Sequence, residues 1–206
     1  MTKRMLIVIT EGPTDLEFYK KVISTIKDKH QLTRFNFDEI KYMCAEGIAN
    51  MHKKMLGKFT KEICGNNKYS SYDKFVCLCY DLDVFKQTQQ NPPIDRVVMR
   101  QDFEKAGAKK IIEIVADDMI EDFFLMDTEG LKDFLKLKKR YKIPAGYKSL
   151  GLIKKIFKDG NRIYSKGTKV EGLVNSLNIE LIMKNICTQL QPLCSELTKG
   201  CSGDKC

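Results

Sequence analysis

RMLIVITEGPTD, residues 4–15, is the stretch on which the fold turns. Residues 4–10 are almost continuously apolar, and a turn follows at Glu11 and Gly12. A short run of this kind predicts a strand buried on both faces, as in a parallel sheet. Pro13 suits the first turn of a helix, and Asp15 and Glu17 then fall near its positive end. Leu16, Tyr19, Val22, Ile23 and Ile26 repeat at helical spacing behind them. The unit is strand, tight turn, helix, with the Glu11 carboxylate where the strand ends. Taken alone, Glu11 reads as a helix cap, a solvated turn residue or a ligand for something positive.

The same unit recurs along the chain. FDEIKYMC, ending at Cys44, predicts a second strand, and Gly47 to about Ile63 a helix with Ile48, Met51, Met55, Leu56 and Phe59 inward. KFVCLCYDLD, residues 74–83, is a third strand, again continuously apolar until its two aspartates. A proline-marked loop leads to a helix from about Ile94 to Ala106, stopped by Gly107, and KKIIEIV gives a fourth strand. ADDMIEDFFLMD reads as the helix after it, with acids in its first turn. Four strands alternating with helices through short connections predict an α/β fold with a doubly wound, mostly parallel sheet in three layers.

After Gly130 helical patterns continue but the charge changes sign. From Lys132 to Lys169 there are 13 Lys or Arg against Asp133 and Asp159. That segment holds the whole of the chain's +9 excess, and acids predominate elsewhere. The expected division is a catalytic α/β unit over residues 1–129, a basic α-helical extension packed on it over 130–197, and a disordered tail over 198–206. Lys138, Lys139, Arg140, Lys148, Lys154, Lys155 and Arg162 are the candidate contacts to a nucleic-acid backbone. Phe134, Tyr141, Tyr147 and Phe157 lie among them, either to stack on bases or to build the core of the extension. The competing account of the lysines is a solvated helix face.

Other classes are disfavoured. No apolar run approaches the roughly 20 residues of a membrane span, and the N-terminal run leads into an acidic helix without a cleavage site. A cytoplasmic protein is expected. None of the eight cysteines forms a CxxC pair, so free thiols are expected, with Cys187, Cys194, Cys201 and Cys206 near the tail. His30 and His52 are expected on the surface without partners. Nothing in the pattern sets an oligomeric state.

In an open parallel sheet, ligands bind outside the carboxyl ends of the strands. Glu11, the pair Asp81 and Asp83, and the group Asp117, Asp118 and Glu121 all fall there. Asp81 and Asp83, two apart, project to one side if the strand persists. Carboxylates gathered at one edge repel unless something positive lies between them, and an all-oxygen cluster suits Mg²⁺ or Mn²⁺.

A strand ending in Glu11-Gly12 before a helix, and a later strand ending in Asp81-x-Asp83, resembles the Toprim domain over roughly residues 4–126. That domain is shared by topoisomerases, bacterial-type primases, OLD-family nucleases and small RNA-maturing nucleases. The segment DDMIEDFFLMD resembles the OLD-like defence branch, with Glu121 the best match to a further acid and Asp118 and Asp122 as alternatives. The resemblance implies a metal-dependent nuclease. Glu11 would do acid/base work and contribute to the metal site, with Asp81, Asp83, Glu121 and Asp118 holding one or two ions. Lys166 or Lys169 would lie at the scissile phosphate. It also implies anti-phage defence with a separate ATPase partner, since no GxxxxGK[ST] segment is present. Two other outcomes stay open: an RNA-maturing endoribonuclease, and a non-catalytic nucleic-acid-binding module.

Overall fold

The computed structural model describes residues 2–29, 35–83, 85, 94–117, 119–166, 170 and 172–198. Four strands, β1 (Lys3–Thr10), β2 (Glu39–Cys44), β3 (Tyr72–Asp81) and β4 (Lys110–Ala116), form one sheet in the order β2-β1-β3-β4. Every pairing is parallel, with Thr10 level with both Cys44 and Cys79, and Asp81 level with Ala116. The mostly parallel sheet expected from the strand-helix alternation is therefore wholly parallel.

β1 shows why the continuous apolar run is needed. Leu6 and Val8 face one core, and Met5, Ile7 and Ile9 the other, all fully buried. Helix α1 (Pro13–Lys29) covers the first face through Phe18, Tyr19, Val22, Ile23 and Ile26. The second face is covered by α2 (Lys53–Lys58), by the π-helical turn Phe59–Cys64 that continues it, and by α3 (Arg96–Lys105). Met51, Met55, Phe59, Met99 and Phe103 are its buried anchors. Asp95 caps α3 by accepting from the amides of Val97 and Val98, and Gly107 follows it at φ 109. The single helix expected from Gly47 to Ile63 is instead a 3₁₀ turn, Ile48–Asn50, followed by α2 and the π turn.

Beyond β4 the chain forms α4 (Ile120–Phe124), α5 (Thr128–Phe134), α6 (Ser149–Asp159), α7 (Leu173–Ser176), α8 (Ile179–Asn185) and α9 (Cys187–Leu197). Ile120, Phe124, Leu131, Ile153, Phe157, Ile182, Leu190 and Leu197 join the core cluster that α1 makes with the sheet. Helix α5 runs across the boundary expected at residues 129 and 130. Thr198, assigned to the tail on sequence, is buried and pairs with Phe35 in an antiparallel bridge. Residues 199–206, with Cys201 and Cys206, lie outside the described residues, as does His30. Cys187 and Cys194 belong to α9, and Cys194 is buried. Among the described residues no helix is long and apolar enough to cross a membrane.

The topology fixes where a site can form. After β1 the chain enters α1 on one face; after β3 it next packs as α3 on the opposite face. β1 and β3 are neighbours, so a crevice opens beyond their carboxyl ends, at the switch point where α/β sheets bind ligands.

Candidate active site

Glu11 leaves β1 at this crevice. The turn around it is fixed on both sides: the Thr10 hydroxyl donates to the Gly12 carbonyl at 3.0 Å, and the Gly47 amide donates to the Glu11 carbonyl at 2.9 Å. The Gly12 amide donates to the Asp15 carboxylate at 2.7 Å. A Cβ on Gly12 would approach that carboxylate to 3.2 Å, so glycine lets Asp15 fold back over the turn. Asp15 is thus more than a residue at the favourable end of the α1 dipole; it belongs to the acid cluster.

β3 delivers Asp81 at its last position, only 5% exposed. One Asp81 oxygen accepts from the Ile120 amide at 3.0 Å, which ties the start of α4 to the end of β3. The other lies 2.9 Å from Lys166 Nζ, and Asp83 Oδ2 lies 3.1 Å from the same nitrogen. The strand does not persist to Asp83, yet both aspartates meet at one cation.

Helix α4 supplies Glu121, which is wholly buried. Its Oε1 accepts from the Tyr164 hydroxyl at 3.0 Å. Its Oε2 and Glu11 Oε2 are buried, and neither has a hydrogen-bond partner among the described residues. Both side chains line a cavity of about 190 Å³ together with Gly12, Asp15, Glu46, Gly47, Tyr164 and Lys166. Orphaned carboxylate oxygens are costly to bury, and two around one cavity fit a cation.

Charge in the cluster is far from balanced. Lys166 pairs with Asp81 and Asp83, and its charge also acts on Glu11 and Asp15. Burial pushes the Asp81 carboxyl up to about 8, with Lys166 opposing and Asp15 and Glu11 reinforcing. Burial likewise pushes Asp15 up to about 7. Glu11 is raised by burial, partly offset by Lys166, with Asp83 and Glu121 adding to the rise. Burial opposes the charge on Lys166, but Asp81 and Asp83 outweigh it and hold the ammonium above the usual lysine range. Burial and then the neighbouring Glu121 keep the Tyr164 hydroxyl protonated, hence a donor.

Of the residues anticipated, Glu11, Asp81, Asp83, Glu121 and Lys166 come together here. Asp118 and Lys169 lie outside the described residues. Asp117 is exposed and accepts from Gln189 at 3.3 Å. Asp122 accepts from the Met119 amide at the start of α4. The helix expected across residues 116–127 is limited to α4, because Met119 is extended and Asp81 takes the Ile120 amide. Asp15, Glu46 and Tyr164 were not anticipated; Tyr164 stands two residues before Lys166, the one sequence signal that could have found it. No group of three or more His, Cys, Asp or Glu is disposed as a ready metal cage among the described residues.

Lys138, Lys139, Arg140, Lys148, Lys154 and Arg162 are exposed. Lys155 is paired with Asp159. Phe157 packs against Phe134 and Tyr164, with ring centroids 5.9 and 5.0 Å apart, and Tyr141 donates to Asp159. Those rings are structural, while Tyr147 is half exposed. His52 is not the unpartnered surface residue expected: it is largely buried, with Nε2 2.9 Å from Asp102. The chain matches no family model, no curated protein and no solved structure.

Proposed function

We propose that the chain is a metal-dependent nuclease of Toprim type that cleaves phosphodiester bonds of DNA or RNA. The observation that carries this reading is the pair of buried, unpartnered oxygens on Glu11 and Glu121, at a cavity also lined by Lys166, which bridges Asp81 and Asp83. The donors are all carboxylate oxygens, the set preferred by Mg²⁺ or Mn²⁺. Glu11, Asp81, Asp83 and Glu121 would hold the ion. A bound divalent cation supplies phosphate polarisation and a more acidic attacking water.

The chain's own groups divide the remaining work. Glu11 lines the cavity and its buried Oε2 has no hydrogen-bond partner among the described residues, so its carboxylate would accept the water's proton; its raised pKa favours that role. Lys166 supplies positive charge for the phosphate. Tyr164 fixes Glu121, and Asp15 holds the turn that aims Glu11. The exposed lysines and arginines of the C-terminal half would follow the backbone of the nucleic acid. A setting in anti-phage defence beside a separate ATPase is proposed with it from the resemblance of the segment DDMIEDFFLMD to the OLD-like branch and the lack of a GxxxxGK[ST] segment.

The test is cleavage of plasmid, single-stranded DNA and bulk tRNA with Mn²⁺, with EDTA, and with the Asp81→Ala variant. Cleavage that needs Mn²⁺ and disappears in Asp81→Ala, while gel-shift binding remains, is the expected result. Undiminished cleavage in EDTA or by Asp81→Ala overturns the assignment. Salt-sensitive binding that ignores EDTA, with no cleavage, would mark the protein as a binding module.

A further inference from the structure

Lys166 is in an unusual position for a residue meant to meet a phosphate. Its ammonium lies 2.9 Å from Asp81 and 3.1 Å from Asp83, in the gap that an ion held by those two carboxylates would fill. Carboxylate oxygens close on Mg²⁺ at about 2.1 Å, which leaves no room for a nitrogen between them. A second positive charge in the same gap would also be repelled. The two occupants exclude each other.

The lysine cannot drift far from the gap. Tyr164, two residues earlier, is buried, donates to Glu121 and packs edge-on against Phe157 at 5.0 Å. Only Ser165 separates that anchor from Lys166. An ammonium tethered this closely competes at high effective concentration. When displaced, it has the adjoining cavity to enter, whose wall it already forms with Glu11 and Glu121.

We propose that Lys166 is a built-in counter-ion at the Asp81–Asp83 position, displaced when a divalent cation binds and thereby delivered to the cavity where a substrate phosphate would sit. This rests on the reading of the acid cluster as a divalent-cation site. Without metal the lysine bridges the two aspartates and offsets their mutual repulsion. With metal the same side chain becomes available to an anionic substrate, so metal precedes productive substrate binding. The apparent metal affinity of the wild type is reduced by the fraction of molecules in which Lys166 holds the gap.

The experiment measures Mn²⁺ binding to the full chain by titration calorimetry for wild type, Lys166→Met and Lys166→Arg. Removal of the competing charge should tighten binding about tenfold or more in Lys166→Met, while Lys166→Arg stays near wild type. In a second measurement on the wild type, acylation of Lys166 by an amine-reactive ester, read by peptide mass spectrometry, should rise several-fold at saturating Mn²⁺. Equal or weaker Mn²⁺ binding by folded Lys166→Met overturns the inference and leaves the metal reading intact. Unchanged Lys166 acylation overturns it even if the variant does not fold. No Mn²⁺ binding by either protein overturns both readings together.

Discussion

At the amino edge of the sheet, Glu196 from α9 meets Arg4 of β1 at 2.7 Å and Lys110 of β4 at 2.6 Å. Lys109 pairs with Asp73 beside them, and the Arg4 amide donates to Asp38. The Arg4 guanidinium also lies 4.3 Å from the Phe75 ring. At the carboxyl edge, Asp81 and Asp83 meet the ammonium of Lys166, and Glu11 and Glu121 beside them each keep a buried oxygen with no partner among the described residues. Both edges gather acids and bases around the ends of the same sheet. One pairs its charges and helps hold the fold together; the other gathers more carboxyls than cations, and burial raises the pKa values of Glu11, Asp15 and Asp81 there.

The largest expected difference is in cleavage. Asp81→Asn should reduce the metal-dependent rate on the order of 10³-fold, whereas Asp73→Asn at the opposite edge should leave it unchanged. Equal losses in the two variants, measured as initial rates on one substrate, would erase the distinction.

The pH dependence of stability should have opposite limbs for the two edges. The folded-state pKa values of Asp81 and Asp15 are raised, to about 8 and about 7, so the native state binds more protons than the unfolded chain above about pH 4. Stability of the metal-free protein therefore falls as pH rises from about 4 to about 8, by on the order of a few kcal/mol. Saturating Mn²⁺ should flatten that limb. Burial pushes Glu196 up, but Lys110 and Arg4 outweigh it and hold its pKa below the usual glutamate value. Its contribution is present above the unfolded pKa and is lost as pH falls through the folded one. Urea midpoints across the pH range check both limbs.

Acid-to-amide changes should then differ in sign. Glu121→Gln removes a buried charge while keeping the acceptor for Tyr164, and should stabilise the metal-free protein by about 1 kcal/mol. Glu196→Gln should destabilise it by about 1 kcal/mol, since both cations are partly exposed. Thermal unfolding of the two variants at pH 7 gives the comparison directly. The smallest effect belongs to the exposed basic face. Lys154→Ala should lower the salt dependence of duplex binding by about 0.9 in the log–log slope, with little change in rate at saturating substrate.

The sequence was most readable where one physical requirement dominates. β1 and β3 are covered on both faces, so their apolar runs could not be mistaken, and the residues ending them were readable as a consequence. The segment after β4 was less clear. Acids in ADDMIEDFFLMD resemble a helix start, but the Asp81 carboxylate takes the Ile120 amide and delays the helix, a contact across 39 residues that no local pattern encodes. Tyr164 escaped for the same reason: a tyrosine outside a regular element has no periodicity, and its value comes from Glu121. His52 gained its partner only when α3 packed alongside and brought Asp102. Asp15 was seen in its local role, since the Gly12 turn that recruits it has no signature beyond the glycine itself.

The bond from Arg4 to Glu196 joins residues 192 apart in the sequence. The Asn36 amide bonds the Leu197 carbonyl beside it, and Phe35 bridges Thr198. During synthesis, β1 leaves the ribosome before α9, which carries the Glu196 partner of the Arg4 guanidinium. The sheet's amino edge therefore closes last. Loop closure over such a distance slows folding, and a nascent chain halted before Glu196 would lack both the carboxylate that pairs with Arg4 and the core contact of Leu197.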